Sequence, residues 1–248
     1  MIDISHISFR YPGADRTILN DVTIAISRRD VVAIMGANGS GKSTLARCIN
    51  GLLLPDSGSV TVEGLSTGDP EAMSAIRRVV GMVFQDPGSQ MTSSTVEREL
   101  AFGLQSACVE RTDMLRRVED ALTGFGLAAV REIAPGRLSG GQQQMVALAA
   151  VLILEPRYLV LDEPTAFLSD RARRAMLSRI LDLHRRSGTS LILITQDPDE
   201  ALLANRLLIL DGGRIVFDDL PARVFRHWAD LAAMGVSSPL RARLLHRT

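Results

Sequence analysis

Two short, unbroken apolar runs set the frame of this chain: Val31-Val32-Ala33-Ile34-Met35 and Tyr158-Leu159-Val160-Leu161. Both are strand-length and rich in β-branched or aromatic residues, which predicts strands buried on both faces. The first gives way to a glycine-rich segment, and then 44–49 carries apolar residues at helical spacing until Gly51 ends the run. The second stops at Asp162-Glu163 followed by Pro164. Ser139 and Gln142 form an S-x-x-Q capping box, which predicts a helix running to about residue 154 before Pro156. Ser94 with Glu97 marks another helix start, and 112–122 reads as a helix with Leu115, Val118 and Leu122 on one face and Gly124 at its end. Beyond 221, Leu231, Met234, Leu240, Leu244 and Leu245 are too apolar for a free tail.

The segment between the first strand and its helix is Gly36-Ala37-Asn38-Gly39-Ser40-Gly41-Lys42-Ser43, the spacing G-x-x-x-x-G-K-S of a phosphate-binding loop. Strand, glycine loop and helix aim backbone N–H groups and a helix N-terminus at phosphate. Of the 28 lysines and arginines in the chain, Lys42 is the only lysine. A compact ammonium can be enclosed against phosphate oxygens by a tight loop, where a wide guanidinium fork cannot. The spacing predicts binding of a nucleoside triphosphate, with the Ser43 hydroxyl on Mg²⁺.

The second strand supplies the carboxylates. Chemistry in parallel α/β sheets sits at strand ends; there Asp162 is expected to hold Mg²⁺, and Glu163 to polarise the water that attacks the γ-phosphate. In Leu138-Ser139-Gly140-Gly141-Gln142 two glycines occupy the first turn of a helix. That weakens the helix, and suggests that something must approach its backbone closely.

Composition narrows the classes. Acids and bases balance at 28 each, so there is no electrostatic case for nucleic-acid binding. The longest apolar run, 145–154, is half of what crosses a bilayer, and Asp3, His6 and Arg10 interrupt any apolar leader. Cys48 and Cys108 lack metal-ligand spacing and read as buried thiols of a reducing compartment. His6, His184, His227 and His246 show no ligand pattern.

Taken in register, the phosphate loop, Leu-Ser-Gly-Gly-Gln and Leu-Val-Leu-Asp-Glu-Pro-Thr-Ala resemble the ATP-binding subunit of an ABC transporter, from the first strand to the last helix. The resemblance implies an α/β P-loop NTPase fold with a mostly parallel core sheet, an antiparallel β part and a helical arm. It implies an ATPase domain over 1–216, the arm at about 88–150 within it, and a C-terminal helical dimerisation extension over 217–248. In that family two subunits sandwich two ATP molecules, each between one subunit's P-loop and the other's signature helix. Nucleotide contacts then fall to Asn38, Gly39, Ser40, Gly41, Lys42, Ser43 and Thr44, with Tyr11 stacking on adenine. Ser139, Gly140, Gly141 and Gln142 would face the partner's ATP. Mg²⁺ would be held by Ser43, Gln85 and Asp162, with Gln85 also sensing the membrane partner.

The stretch Gly81-Met82-Val83-Phe84-Gln85-Asp86-Pro87 with Gln90, and the following 95–103, are most similar to the energy-coupling factor (ECF) importers of vitamins and metal ions. That resemblance implies a peripheral protein on the cytoplasmic face of the cell membrane. Its partners would be a second, paralogous ATPase, a transmembrane coupling protein and a substrate-binding membrane subunit. The chain departs from the family at three places. Gln196 stands where a switch histidine is usual, Ser169 where a D-loop aspartate is expected unless Asp170 substitutes, and Met145 where an arginine often follows the signature. Glutamine can donate a neutral hydrogen bond but cannot become cationic or relay a proton. The expectation is therefore the degenerate partner of an ATPase heterodimer, with Glu163 and Gln196 at a slow catalytic site. A slow homodimer of another importer and a soluble, non-transport ABC ATPase are the alternatives. Translation-factor types need two ATPase domains. DNA-repair types insert coiled coils, for which the separation of Lys42 and Ser139, 97 residues apart, leaves no space. A GTPase would need a second lysine.

Overall fold

The computed structural model describes residues 1–166 and 168–240. They form two compact units, Met1–Arg77 with the segment from Ser190, and Arg78–Thr189.

The first unit contains an antiparallel sheet in the order Leu19–Ile26, Ile2–Phe9, Ser57–Val62, Leu65–Ser66. Ile2 and Ile4 point inward with period two, but the next buried residues are Ile7 and Phe9, one place out of phase. A bulge absorbs the extra residue: the register shifts between Ile4 and Ile7, and His6 takes a left-handed φ of 51°. The same unit carries the first apolar run as the Val31–Met35 strand, all five residues buried. It lies between two parallel neighbours, Ser190–Ile194 and Arg206–Asp211, and Arg214–Asp219 pairs antiparallel with the latter. Parallel neighbours on both sides explain why the run is apolar throughout rather than alternating.

In the second unit Tyr158–Asp162 pairs in parallel with Val80–Val83. A helical cluster packs Val96, Leu100 and Leu104 of Val96–Ser106 against Val118 and Leu122 of Arg111–Gly124 and Val146 of Gly140–Leu152. Gly81 is required by that packing, because a Cβ there would meet Val151 Cγ1 at 2.4 Å. Leu122 is completely buried. Leu122→Ala is expected to destabilise the protein by about 2–5 kcal/mol, read as a lower denaturant midpoint at unchanged slope.

Three local expectations are corrected here. The helix after the Gln85 segment is capped by Thr95, whose hydroxyl accepts from Arg98 N at 3.2 Å; Ser94, one residue early, instead accepts from the Arg98 guanidinium. Leu115 is 53 % exposed, because Val118, Ala121 and Leu122 already fill the buried stripe of that helix. Cys48 is buried as expected, but Cys108 is exposed, in a left-handed turn with φ 57° after the preceding helix. Burial, and secondarily the charge of Asp56, push the Cys48 thiol up to about 12, so it stays protonated and unreactive at neutral pH.

At the C-terminal end, helix Pro221–Val224, a 3₁₀ turn Phe225–His227 and helix Trp228–Ala233 bury Val224, Phe225 and Leu231. Leu240 is exposed, and Leu244, Leu245 and His246 lie outside the described residues. Among the described residues no helix is long and apolar enough to cross a membrane.

Candidate nucleotide-binding site

The glycine loop follows the Val31–Met35 strand directly and opens the helix Lys42–Ile49. Its shape depends on having no side chain at two points. A Cβ at Gly36 would lie 2.2 Å from the Leu210 carbonyl oxygen, and one at Gly41, where φ is 109°, would lie 2.9 Å from the Ile18 carbonyl oxygen. Inside the loop Lys42 is buried, and its ammonium donates to the Gly36 carbonyl at 2.9 Å and the Ala37 carbonyl at 3.0 Å. Ser40 Oγ is buried and has no hydrogen-bond partner among the described residues. A cationic loop with an orphaned buried hydroxyl and a helix N-terminus fits a phosphate.

Around the loop the first unit gathers three more of the expected residues. Tyr11 is half-buried, its ring edge-on to Phe9 at 5.0 Å, with its hydroxyl 3.2 Å from Thr44 Oγ1. Asp56 fixes the approach to that ring by accepting from Arg10 N at 2.8 Å. Gln196 Nε2 donates to Asn38 Oδ1 at 2.7 Å, which ties Gln196 to the loop. Behind Gln196, buried Thr195 donates to buried Glu200 at 2.6 Å and accepts from Asp197 N at 3.0 Å. Thr195 and Glu200 hold the Gln196 segment in place and were not evident from sequence; the Asp-Pro start of the short helix Pro198–Ala201 was the available signal.

The second unit holds the remaining expected residues in two places. Asp162 is buried at the end of its strand, and Glu163 follows with a left-handed φ of 47°, an uncommon conformation for glutamate. Such strain concentrates at functional sites. Gln85 Nε2 donates to Glu163 Oε2 at 3.1 Å, although the two are 78 residues apart. Gln90 supports that segment by accepting from Phe84 N at 3.1 Å.

The signature helix is Gly140–Leu152, with the anticipated capping box complete: Ser139 Oγ accepts from Gln142 N at 3.4 Å, and Gln142 Oε1 from Ser139 N at 3.1 Å. Its first turn is accessible, and Gly140 has nothing within 4 Å of where a Cβ would be. A cavity of about 450 Å³ opens there, lined by Ser139, Gly141, Gln142 and Met145 with Leu168 and Ser169. Met145, in place of an arginine, packs on the helical cluster. Ser169 caps the helix Asp170–Ser187 by accepting from Ala172 N at 3.4 Å, which leaves Asp170 inside the first turn, paired with Arg173.

Loop, strand-end carboxylates and capped glycine helix define a P-loop nucleotide-binding domain. The ABC transporter family matches residues 19–166. Over 244 residues the chain is 41 % identical to "Energy-coupling factor transporter ATP-binding protein EcfA1" of Latilactobacillus sakei, covering 98 % of this chain and 87 % of that protein. It is 42 % identical over 245 residues to "Energy-coupling factor transporter ATP-binding protein EcfA" of Enterococcus faecium, covering 98 % and 88 %. Among solved structures it superposes on cbiO1 from Clostridium perfringens, described as part of the ABC transporter complex cbiONQ, with TM-score 0.81, 28 % identity and 98 % coverage of both chains. It also superposes on the dimeric bacterial ABC transporter cassette MJ0796, with TM-score 0.83 and 26 % identity over 89 % of this chain and 99 % of that one. The chain belongs to the ATP-binding subunits of ABC transporters, in the energy-coupling factor group.

Proposed function

We propose that this chain is the degenerate ATPase of a heterodimer that powers an ECF-type importer of a vitamin or transition-metal ion. The observation that carries the reading is the mixture of parts: a complete phosphate loop and signature beside Gln196, bound to Asn38. ATP is the substrate. Lys42, Ser40 and the N–H groups of Asn38 to Thr44 bind its phosphates, Tyr11 carries adenine, and Glu163 orients and deprotonates the attacking water. Ser43, Gln85 and Asp162 supply the hard oxygen donors that Mg²⁺ takes, and the ion neutralises phosphate charge. Ser139, Gly140, Gly141 and Gln142 complete the partner's site, where most turnover occurs. Gln85 is both a contact of Glu163 and the sensor of the membrane partner, so it links docking to hydrolysis.

The names of the relatives and the cbiONQ complex of the structural neighbour support the remaining assignments. These are a paralogous ATPase, a transmembrane coupling protein, a substrate-binding membrane subunit and a place at the cytoplasmic face of the membrane. Residues 1–216 form the ATPase domain, 88–150 its docking arm, and 217–248 the dimerisation extension.

At the switch position glutamine gives a weaker transition-state contact than a cationic imidazole, and lost contacts of this kind commonly cost on the order of 10²–10³ in rate. Gln196→His is expected to raise turnover at this subunit's own site by at least about tenfold. The rate would be measured in the assembled complex with the partner's own site inactivated. An unchanged rate would remove the basis of the degenerate-partner reading.

A further inference from the structure

Behind the signature helix, at the end away from Ser139, the second unit contains a cavity of about 510 Å³. None of its lining residues belongs to the nucleotide machinery. Helix Arg111–Gly124 forms one wall and helix Asp170–Ser187 the other, with the end of Gly140–Leu152 between them. The floor is apolar, made by Ala121, Phe125, Leu152 and Leu183, and the walls carry four arginines, Arg116, Arg117, Arg179 and Arg186, with the carboxylates Asp120, Glu155 and Asp182.

The two walls differ electrostatically. On the first, Arg116 is paired with Asp113 and Asp120, and Arg117 with Asp113 and Glu155. On the second, Asp182 is paired with Arg185, outside the cavity lining. No carboxylate among the described residues pairs with Arg179 or Arg186. These two are seven residues apart, so they share a helix face. Arg179 is already oriented: its guanidinium donates to the Gly124 carbonyl and lies 5.4 Å from the Phe125 ring centroid. Solvated arginines on a helix face need no ligand. Here, however, two cations without carboxylate partners among the described residues line one wall above an apolar floor that includes Phe125, in a volume typical of small-molecule sites. Guanidinium forks match carboxylate and phosphate oxygens, and the floor suits a flat apolar body.

We propose that this cavity binds a small organic anion carrying a planar apolar ring, of the aryl phosphate or aryl carboxylate class, with Arg179 and Arg186 holding the anionic group. The inference does not depend on the transport reading. The test is calorimetric titration of the purified subunit with 1-naphthyl phosphate, its phosphate loop saturated with ADP throughout. One saturable site is expected, with the neutral 1-naphthol binding at least about tenfold more weakly. The double variant Arg179→Gln/Arg186→Gln is expected to weaken naphthyl phosphate binding by about tenfold or more, while ADP binding stays unchanged. Should the double variant lose ADP binding, the exposed single variant Arg186→Gln decides, with a loss of roughly threefold or more expected. Absence of a saturable site, equal affinity for naphthol, or unchanged affinity in the deciding variant would each overturn the proposal.

Discussion

Lys42→Ala is expected to weaken ATP binding by the purified subunit about 10²-fold or more, because it removes the one buried ammonium proposed to hold the phosphates. The ammonium is buried and rests against the carbonyls of Gly36 and Ala37, inside the glycine loop. A methyl group cannot take its place, and the chain has no other lysine to do so. Arginine is not expected to rescue the site, because a wide planar fork cannot be enclosed against phosphate oxygens by a tight loop as a compact ammonium can. Titration calorimetry with ATP measures the effect. An affinity within about threefold of the unaltered protein would mean that the loop does not hold phosphate through this residue.

Glu163→Gln is expected to separate binding from chemistry. The side chain is nearly isosteric but cannot accept a proton, so hydrolysis at the subunit's own site should fall by about 10²-fold or more while ATP affinity is retained. The structure adds a reason for the size of the effect. Glu163 sits at φ 47° directly after a buried strand, and its carboxylate is engaged by Gln85, so its position is over-determined rather than incidental. Single-turnover hydrolysis in the assembled complex, compared with nucleotide binding by the same variant, reads both quantities. Equal losses in binding and turnover would contradict the assignment of Glu163 as the base.

What could be read from sequence was local. The phosphate loop, the Ser139–Gln142 capping box and the two buried strands are contiguous patterns whose residue types answer to backbone geometry within a few positions. The structure has them where the patterns put them. What sequence did not show depends on packing or on distant pairs. Leu115 fits the helical stripe but finds its place in the core taken, and the cap falls to Thr95 because the helix begins one residue later than the Ser94 pattern suggests. The bulge at His6 follows from a phase change between Ile4 and Ile7 that is visible only once both are known to be buried. The long-range contacts of Gln196 to Asn38 across 158 residues and of Gln85 to Glu163 across 78 leave no local trace at all. Resemblance singled out Asn38, Gln85, Glu163 and Gln196 as site residues. Their pairing came only from the fold.

Glutamine at position 196 also bears on pH. A histidine there would titrate near neutrality, whereas Gln196 has no proton to gain or lose in that range. Its hydrogen bond to Asn38 is therefore available at any pH at which the protein is folded.

The most direct measurement is a tagged pull-down of this subunit from detergent-solubilised membranes of its source, with the co-purifying chains identified by mass spectrometry. The account predicts a second, distinct ATPase together with small membrane proteins, whose identities would also point to the cargo. Recovery of this chain alone, or with soluble partners only, would contradict the importer while leaving the ATP-binding fold intact.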